Sequence, residues 1–367
     1  MFDHSSPPSD LNLYQSQIYE FRLHGQIGEE WNRWFNSATI IQNADGETVL
    51  LCPVADQAAL HGLLKKVRDL GIVLRSVMLV ETPPIVEKYN TSHNPKEKYP
   101  MNREKILIEA DELLKKFEDK NLLIFDASVM NNMYLEAHIP GAVYFDHTRF
   151  SDLNSPYELT LSQEADLELQ IGQAGISNTS EVVVYASGML PYAVRAWWVL
   201  RYAGHEYVRI LNGGLAAWQK VGGPLEKEVH QYAPTSFQAS FRSWMFASKE
   251  EVLAAIGNED VGTINTMPLI SHNNRHIVGS TCLPALDLMK DMDNFSTDEQ
   301  IIQRLKEITQ HKRIITYCGG GIAATINAAA LLIAGYENVA VYDGSLYEWL
   351  GEGLPANGAG DWKIWTR

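Results

Sequence analysis

The chain has 367 residues, too many for one ordinary domain at roughly 100–200 residues each, so two or three are expected. Apolar residues make up 46% and charged residues 20%, a globular balance that excludes wholesale disorder. With 30 Lys+Arg against 45 Asp+Glu the net charge is −15, which excludes nonspecific nucleic-acid binding through a basic surface.

Three cysteines, Cys52, Cys282 and Cys318, are too few and too scattered for a disulfide scaffold, so a reducing, cytoplasmic setting is expected. The first thirty residues hold acidic groups and no continuous apolar core, so no signal peptide is expected. No run reaches the roughly 18 apolar residues of a membrane span, and no membrane partner is expected.

In chain order, a leader over 1–82 predicts a small α+β module. YEFRLHGQI reads as a strand and EEWNRWFN as a short helix. TIIQ and ETVLLCPV read as a hairpin closed by the Asp45-Gly46 signal. DQAALHGLLKKVRDLG predicts an amphipathic helix, capped by Asp56 and ended by Gly71, before a strand in VLRSVMLVE. The leader has no catalytic pattern, and its expected role is contact with a protein partner. Residues 83–103, rich in proline, predict a linker.

The remainder repeats itself. VVVYASGMLPYAVRAWWVLRYAGHEYVRILNGGLAAWQKVGGPL (Val182–Leu225) aligns with IITYCGGGIAATINAAALLIAGYENVAVYDGSLYEWLGEGLP (Ile314–Pro355). The spacing from Tyr185 to Tyr317 equals that from Gly188 to Gly320. It is one residue longer than Gly213 to Gly344, Trp218 to Trp349 and Pro224 to Pro355. Upstream, EAHIPGAVYFD echoes RHIVGSTCLPALD. A period of roughly 130 residues is far above that of solenoids, so the pattern is a duplicated domain.

The halves are placed at 104–225 and 241–367, with a linker over 226–240. Short apolar runs (LLIFD, EVVVYA, VRIL; RIITYC, VAVYD) alternate with helical stretches, which predicts α/β domains around mostly parallel sheets. REKILIEADELLKKFEDK predicts a solvated helix with Ile106, Leu107, Leu113, Leu114 and Phe117 buried. Trp197 and Trp198, adjacent on one helix, are expected to pack between sheet and domain interface.

Chemistry concentrates at Cys318. RIITYC is an apolar strand, GGG a loop, and IAATINAAALLIAG a helix closed by Gly335. Ligands of open parallel sheets bind at that carboxyl edge. Glycines let the chain curl with its amides inward, and the helix start adds its dipole, so the loop is an anion nest that favours a thiolate. A buried core cysteine is the plain structural alternative, but packing gives no reason for three successive glycines.

Gly319, Gly321 and Ala324, with Asp343 beyond, also satisfy a dinucleotide fingerprint. Only a short tail follows Asp343, too little to complete a dinucleotide sheet. A cysteine phosphatase would need an arginine six residues after the thiol, where Ala324 stands. A cradle of amides suits a sulfur atom carried as a persulfide.

Tyr134 followed by Leu-Glu-Ala-His138-Ile-Pro140-Gly141-Ala142 resembles the N-terminal rhodanese signature. Val339 to Trp349 is similar to the C-terminal one, departing at Leu346. YCGGGIAATINAAALLIAGY resembles the active loop of tandem rhodaneses, the thiosulfate and 3-mercaptopyruvate sulfurtransferases. The resemblance implies two rhodanese domains, the second active.

It makes Cys318 the nucleophile, and the backbone of Gly319, Gly320, Gly321, Ile322 and Ala323 the persulfide cradle. Ala186 stands at the silent half's nucleophile position, and Asp343 becomes a structural turn residue. Sulfur would pass from an anionic donor, thiosulfate or 3-mercaptopyruvate, to cyanide or a thiol, with no metal or organic cofactor.

Departures fall at Asn265 and Met267, where the family commonly has Asp and Arg, and at Gly320 and Ala323, where the mercaptopyruvate enzymes often carry hydroxyls. They keep open a sulfur-carrier or redox-sensing interaction protein as the alternative. Arg275 and Arg195 are candidates to hold the donor's anion, Arg195 with the stronger structural alternative. His138 is expected to be a turn histidine bonded to backbone. His272, His276 and Cys282 match no zinc spacing, and Cys282 is expected to be a strand-core thiol.

Overall fold

In the computed structural model the described residues are 17–24, 39–42, 47–54, 57–69, 73–79, 103–360 except 158, 307 and 309, and 362. The chain forms two compact units, Met1–His93 and Asn94–Arg367.

In the first unit, β1 (Gln17–His24), β2 (Thr39–Gln42), β3 (Glu47–Val54) and β4 (Val73–Leu79) form an antiparallel sheet in the order β2-β3-β1-β4. Alternation along β1 buries Phe21 and Leu23. Helix α1 (Gln57–Asp69) covers them with Leu60, Leu63, Leu64 and Val67, one stripe at helical spacing. The hairpin and α1 form where expected; the 29–36 helix, the Asp45-Gly46 turn, Asp56, Gly71 and the 83–102 linker lie outside the described residues. Cys52 is buried in this core, and burial pushes its thiol up to about 12.

The second unit holds both copies. The first contains α2 (Arg103–Ile106), β5 (Leu107–Ile108), α3 (Ala110–Leu114), β6 (Leu122–Asp126), α4 (Asn131–Glu136) and β7 (Val143–Tyr144), then α5 (Glu164–Gln173), β8 (Glu181–Tyr185), α6 (Leu190–Tyr202), β9 (Val208–Leu211) and α7 (Gly214–Lys220). The second contains β10 (Phe246–Ala247), α8 (Lys249–Ala255), β11 (Val261–Asn265), α9 (Leu269–Asn274), β12 (His276–Ile277) and β13 (Thr281–Cys282). It continues through α10 (Asp298–Leu305), β14 (Arg313–Tyr317), α11 (Ala324–Ile333), β15 (Val339–Tyr342), α12 (Ser345–Gly351) and β16 (Ala356–Asn357).

Sheet orders β5-β9-β8-β6-β7 and β10-β15-β14-β11-β13 are the same topology twice, parallel throughout. Their strands are covered on both faces, which is why they read as continuous apolar runs.

One expectation is corrected. The charged run from Arg103 is not one helix but α2 and α3 interrupted by β5, whose Leu107 and Ile108 pair with Ile210 and Leu211. Two adjacent buried apolar residues need cover on both sides, which an edge-strand position supplies and a helix face does not. Leu114 and Phe117 are half-buried.

Helix α11 is apolar on all sides and buried along nearly its whole length. It packs on its own sheet and on α6 of the other copy, so one continuous core spans both halves. Trp197 and Trp198 lie in that core, with Trp197 Nε1 donating to Val208 O at 3.0 Å. Gly335, at φ +92°, turns the chain out of α11 where the sequence placed the stop.

Candidate active site

Cys318 leaves the carboxyl end of β14, beside β11, where the chain's crossovers reverse direction. It is 3% exposed. Its N–H donates to Ser345 Oγ at 3.1 Å, and that hydroxyl donates onward to Tyr342 O at 2.8 Å. Cys318 O and Gly319 O accept from Leu346 N and Tyr347 N at 3.1 and 2.9 Å, which ties the loop to the start of α12.

The glycines have separate reasons. Gly321 has φ +80°, and a Cβ there would meet Asp343 O at 2.6 Å. A Cβ on Gly320 would meet Tyr347 Cε2 at 2.9 Å, because that ring lies over the loop. No hydrogen bond among the described residues takes up the N–H groups of Gly319 to Ala323. The start of α11 follows directly, so unused amides and a helix N-terminus adjoin Cys318 in the chain.

In the first copy two of the equivalent N–H groups are taken up. Ala186 replaces the cysteine. Ser187 N donates to Ser128 Oγ at 3.0 Å and Leu190 N to Met292 O at 2.9 Å, and in the turn after β9 Gly213 N donates to Asp293 O at 2.8 Å. The Asp293 side chain, from the second copy, lies close to this loop.

Arg195, projecting from α6 of the silent copy, is 3% exposed and reaches the active loop from behind. Its Nη1 lies 2.6 Å from Asp343 Oδ1, its Nη2 donates to Leu159 O at 3.1 Å, and its guanidinium sits 5.5 Å from the Phe246 ring centroid. Asp343 Oδ2 accepts from Leu161 N at 2.7 Å. Held on both oxygens, Asp343 backs Gly321 and presents no free carboxylate to a ribose, which removes the dinucleotide alternative. Arg195 and Ile322 also line one small cavity with His147, whose ring burial holds well below its usual range, at about 4.

Arg275 is not brought to the loop by any contact among the described residues; its Nη1 donates to Gly358 O at 2.9 Å. Asn265 closes a turn by accepting from Met267 N at 2.9 Å, and Met267 packs on the shared core. Asp126 makes the same turn in the silent copy, to Ser128 N.

Cys282 stands two strands from β14, roughly 10 Å at ordinary strand spacing. Burial, with Asp287 nearby, pushes its thiol up to about 11. His272 and His276 stack on each other at 3.9 Å. They form no metal-holding group with Cys282 among the described residues. Ser345 and Tyr347 were missed as site residues. Their signal was the motif Val339–Trp349, which carries both.

Residues 109–221 and 248–352 each match the rhodanese-like domain family. The chain belongs to the rhodanese-like family. Its leader, at residues 18–78, matches a domain of unknown function (DUF8691). Thiosulfate sulfurtransferase of Bos taurus is 33% identical over 239 residues, 60% of this rhodanese chain and 80% of its own. 3-Mercaptopyruvate sulfurtransferase of Escherichia coli (strain K12) is 31% identical over 261 residues, 65% of this chain and 93% of its own.

The crystal structure of SseA from Escherichia coli, described as a 3-mercaptopyruvate sulfotransferase, superposes with a TM-score of 0.60 at 30% identity. It covers 65% of this chain and 98% of that one. With relatives of this kind, this rhodanese is an enzyme of the sulfurtransferase class. No helix among its described residues is long and apolar enough to cross a membrane.

Proposed function

We propose that the chain moves a sulfane sulfur from thiosulfate or 3-mercaptopyruvate through a persulfide on Cys318 to cyanide or a thiol. The observation that carries this is the run of N–H groups from Gly319 to Ala323 next to Cys318, uncommitted among the described residues, where two of their counterparts in the first copy are taken up.

The Cys318 thiolate attacks the donor's outer sulfur. The bond from that sulfur to the donor breaks, and its electron pair leaves with sulfite or with the enolate of pyruvate. The acceptor then attacks the outer sulfur of the persulfide and restores the thiolate. Negative charge on the transferred sulfur is what the loop amides and the α11 dipole stabilise.

Arg195 acts chiefly as a positioning residue, holding Asp343 behind Gly321, and it adds positive charge near the donor. Arg275, engaged with Gly358, is the weaker candidate for that charge. The relatives cover both donor types, and the neutral glycine loop favours 3-mercaptopyruvate. Three free cysteines fit a reducing compartment such as the cytoplasm. The leader, with Met78 and Leu79 exposed on β4, is taken as a contact surface for a protein partner.

Intact-mass measurement after exposure to each donor tests the reading. Wild type is expected to gain one sulfur atom and Cys318→Ser none. A gain that survives in Cys318→Ser would overturn it.

A further inference from the structure

Away from Cys318, the linker leaving the first copy returns to the His138 turn. His138 and Glu226 pair through reciprocal backbone hydrogen bonds, both 3.0 Å. His230 N donates to Tyr134 Oη at 3.1 Å, and Tyr134 Oη donates to Ala142 O at 2.9 Å. Three backbones are thus fixed around one point.

At that point His138 Nε2 lies 3.7 Å and His230 Nε2 2.7 Å from Glu226 Oε1, and all three atoms fall within 4.8 Å of one another. Three further observations concern how these atoms are aimed. With its proton on Nδ1, His138 donates to Tyr134 O at 2.7 Å and offers a lone pair at Nε2. His138 Nε2 also lies 3.0 Å from Glu228 O. His230 Nε2 is buried, and despite its closeness to Glu226 it has no hydrogen-bond partner. Three potential ligand atoms thus converge on one point.

We infer that His138, Glu226 and His230 form a binding site for a zinc-class transition-metal dication. Two imidazoles and one carboxylate are a borderline nitrogen-and-oxygen donor set, suited to Zn²⁺ or Co²⁺ and not to Ca²⁺ or Mg²⁺. Outer partners are in place: Tyr134 O orients His138, and Gly141 N–H donates to Glu226 Oε1.

The duplication supplies an internal comparison. In the second copy His276 Nδ1 lies 2.7 Å from His272 O, and His276 pairs with Asn357 as His138 pairs with Glu226. There a neutral amide replaces the carboxylate. The metal would clip the linker to the silent copy and fix the segment joining the two halves, with no part in sulfur transfer.

The test uses the full chain carrying Cys318→Ser, so that the reactive thiol does not contribute, stripped with a chelator and titrated with Zn²⁺ alone. About one zinc per chain is expected, with affinity falling roughly ten-fold or more in His230→Ala and in Glu226→Gln. Zinc should raise the thermal midpoint of the parent and of neither variant. Both variants change partly exposed side chains and spare buried His138, and circular dichroism of the metal-free proteins checks their fold. No binding at equimolar zinc would overturn the inference. So would equal affinity in parent and both variants; a proton on His138 Nε2 would then reconcile the contacts.

Discussion

Ser345 is a buried non-glycine residue at φ +50°, a conformation that costs of order 1 kcal/mol or more. Gly214 holds the matching place in the silent copy at φ +52°, where a Cβ would meet Ala186 O at 2.1 Å. A serine is kept in the active copy because its hydroxyl accepts the Cys318 N–H and so fixes the residue that bears the thiol. Ser345→Ala strands that N–H away from water and should cost roughly 1–3 kcal/mol in a urea titration. It should also slow sulfur transfer, and unchanged stability and rate would remove Ser345 from the site. Cys318 could be found in the sequence because strand, glycines and helix are contiguous. Ser345's place in the motif was visible, but its hydrogen bond to Cys318 was not, since that depends on β14 and β15 lying side by side.

Between elements, the decisive contact is α6 of the silent copy against the turn after β15. Arg195 and Asp343 are both largely buried, so removing one partner leaves the other charge uncompensated. Arg195→Met should destabilise by roughly 3–5 kcal/mol, with much of that recovered in Arg195→Met/Asp343→Leu. Both variants should lose turnover, because Gly321 rests on Asp343. A single variant as stable as wild type would show that the pair is not needed.

Arg195 could be named from the sequence as a candidate, but not its partner, which lies in the other copy. The misread run at Arg103 has a related cause. Its charge pattern is helical, and only the partner strand β9, supplied from the far end of the domain, converts Leu107–Ile108 to β5.

At the scale of the whole molecule, duplication was visible in residue spacing, and the two sheets repeat one topology. What spacing could not show is that each copy reaches into the other: Gly213 N of the first donates to Asp293 O of the second, and Arg195 of the first pairs with Asp343 of the second. Burial, reinforced by Asp291, raises the Asp293 carboxyl from its ordinary 3.8 to about 6. The folded chain therefore holds this proton more tightly than the unfolded chain, so the term stabilises at low pH and is lost as pH rises from about 4 through about 6. Asp293→Asn should match wild type below that window and exceed it above, by an amount that levels off. Denaturant midpoints across the window check this, and a constant difference would contradict it.

The central claim is that sulfur passes through Cys318. Thiocyanate formation from cyanide, measured with thiosulfate and with 3-mercaptopyruvate as donors in wild type and Cys318→Ser, tests it most directly. Turnover in wild type with at least one donor, and none above background in Cys318→Ser, is the predicted result; equal rates in the two proteins would contradict it.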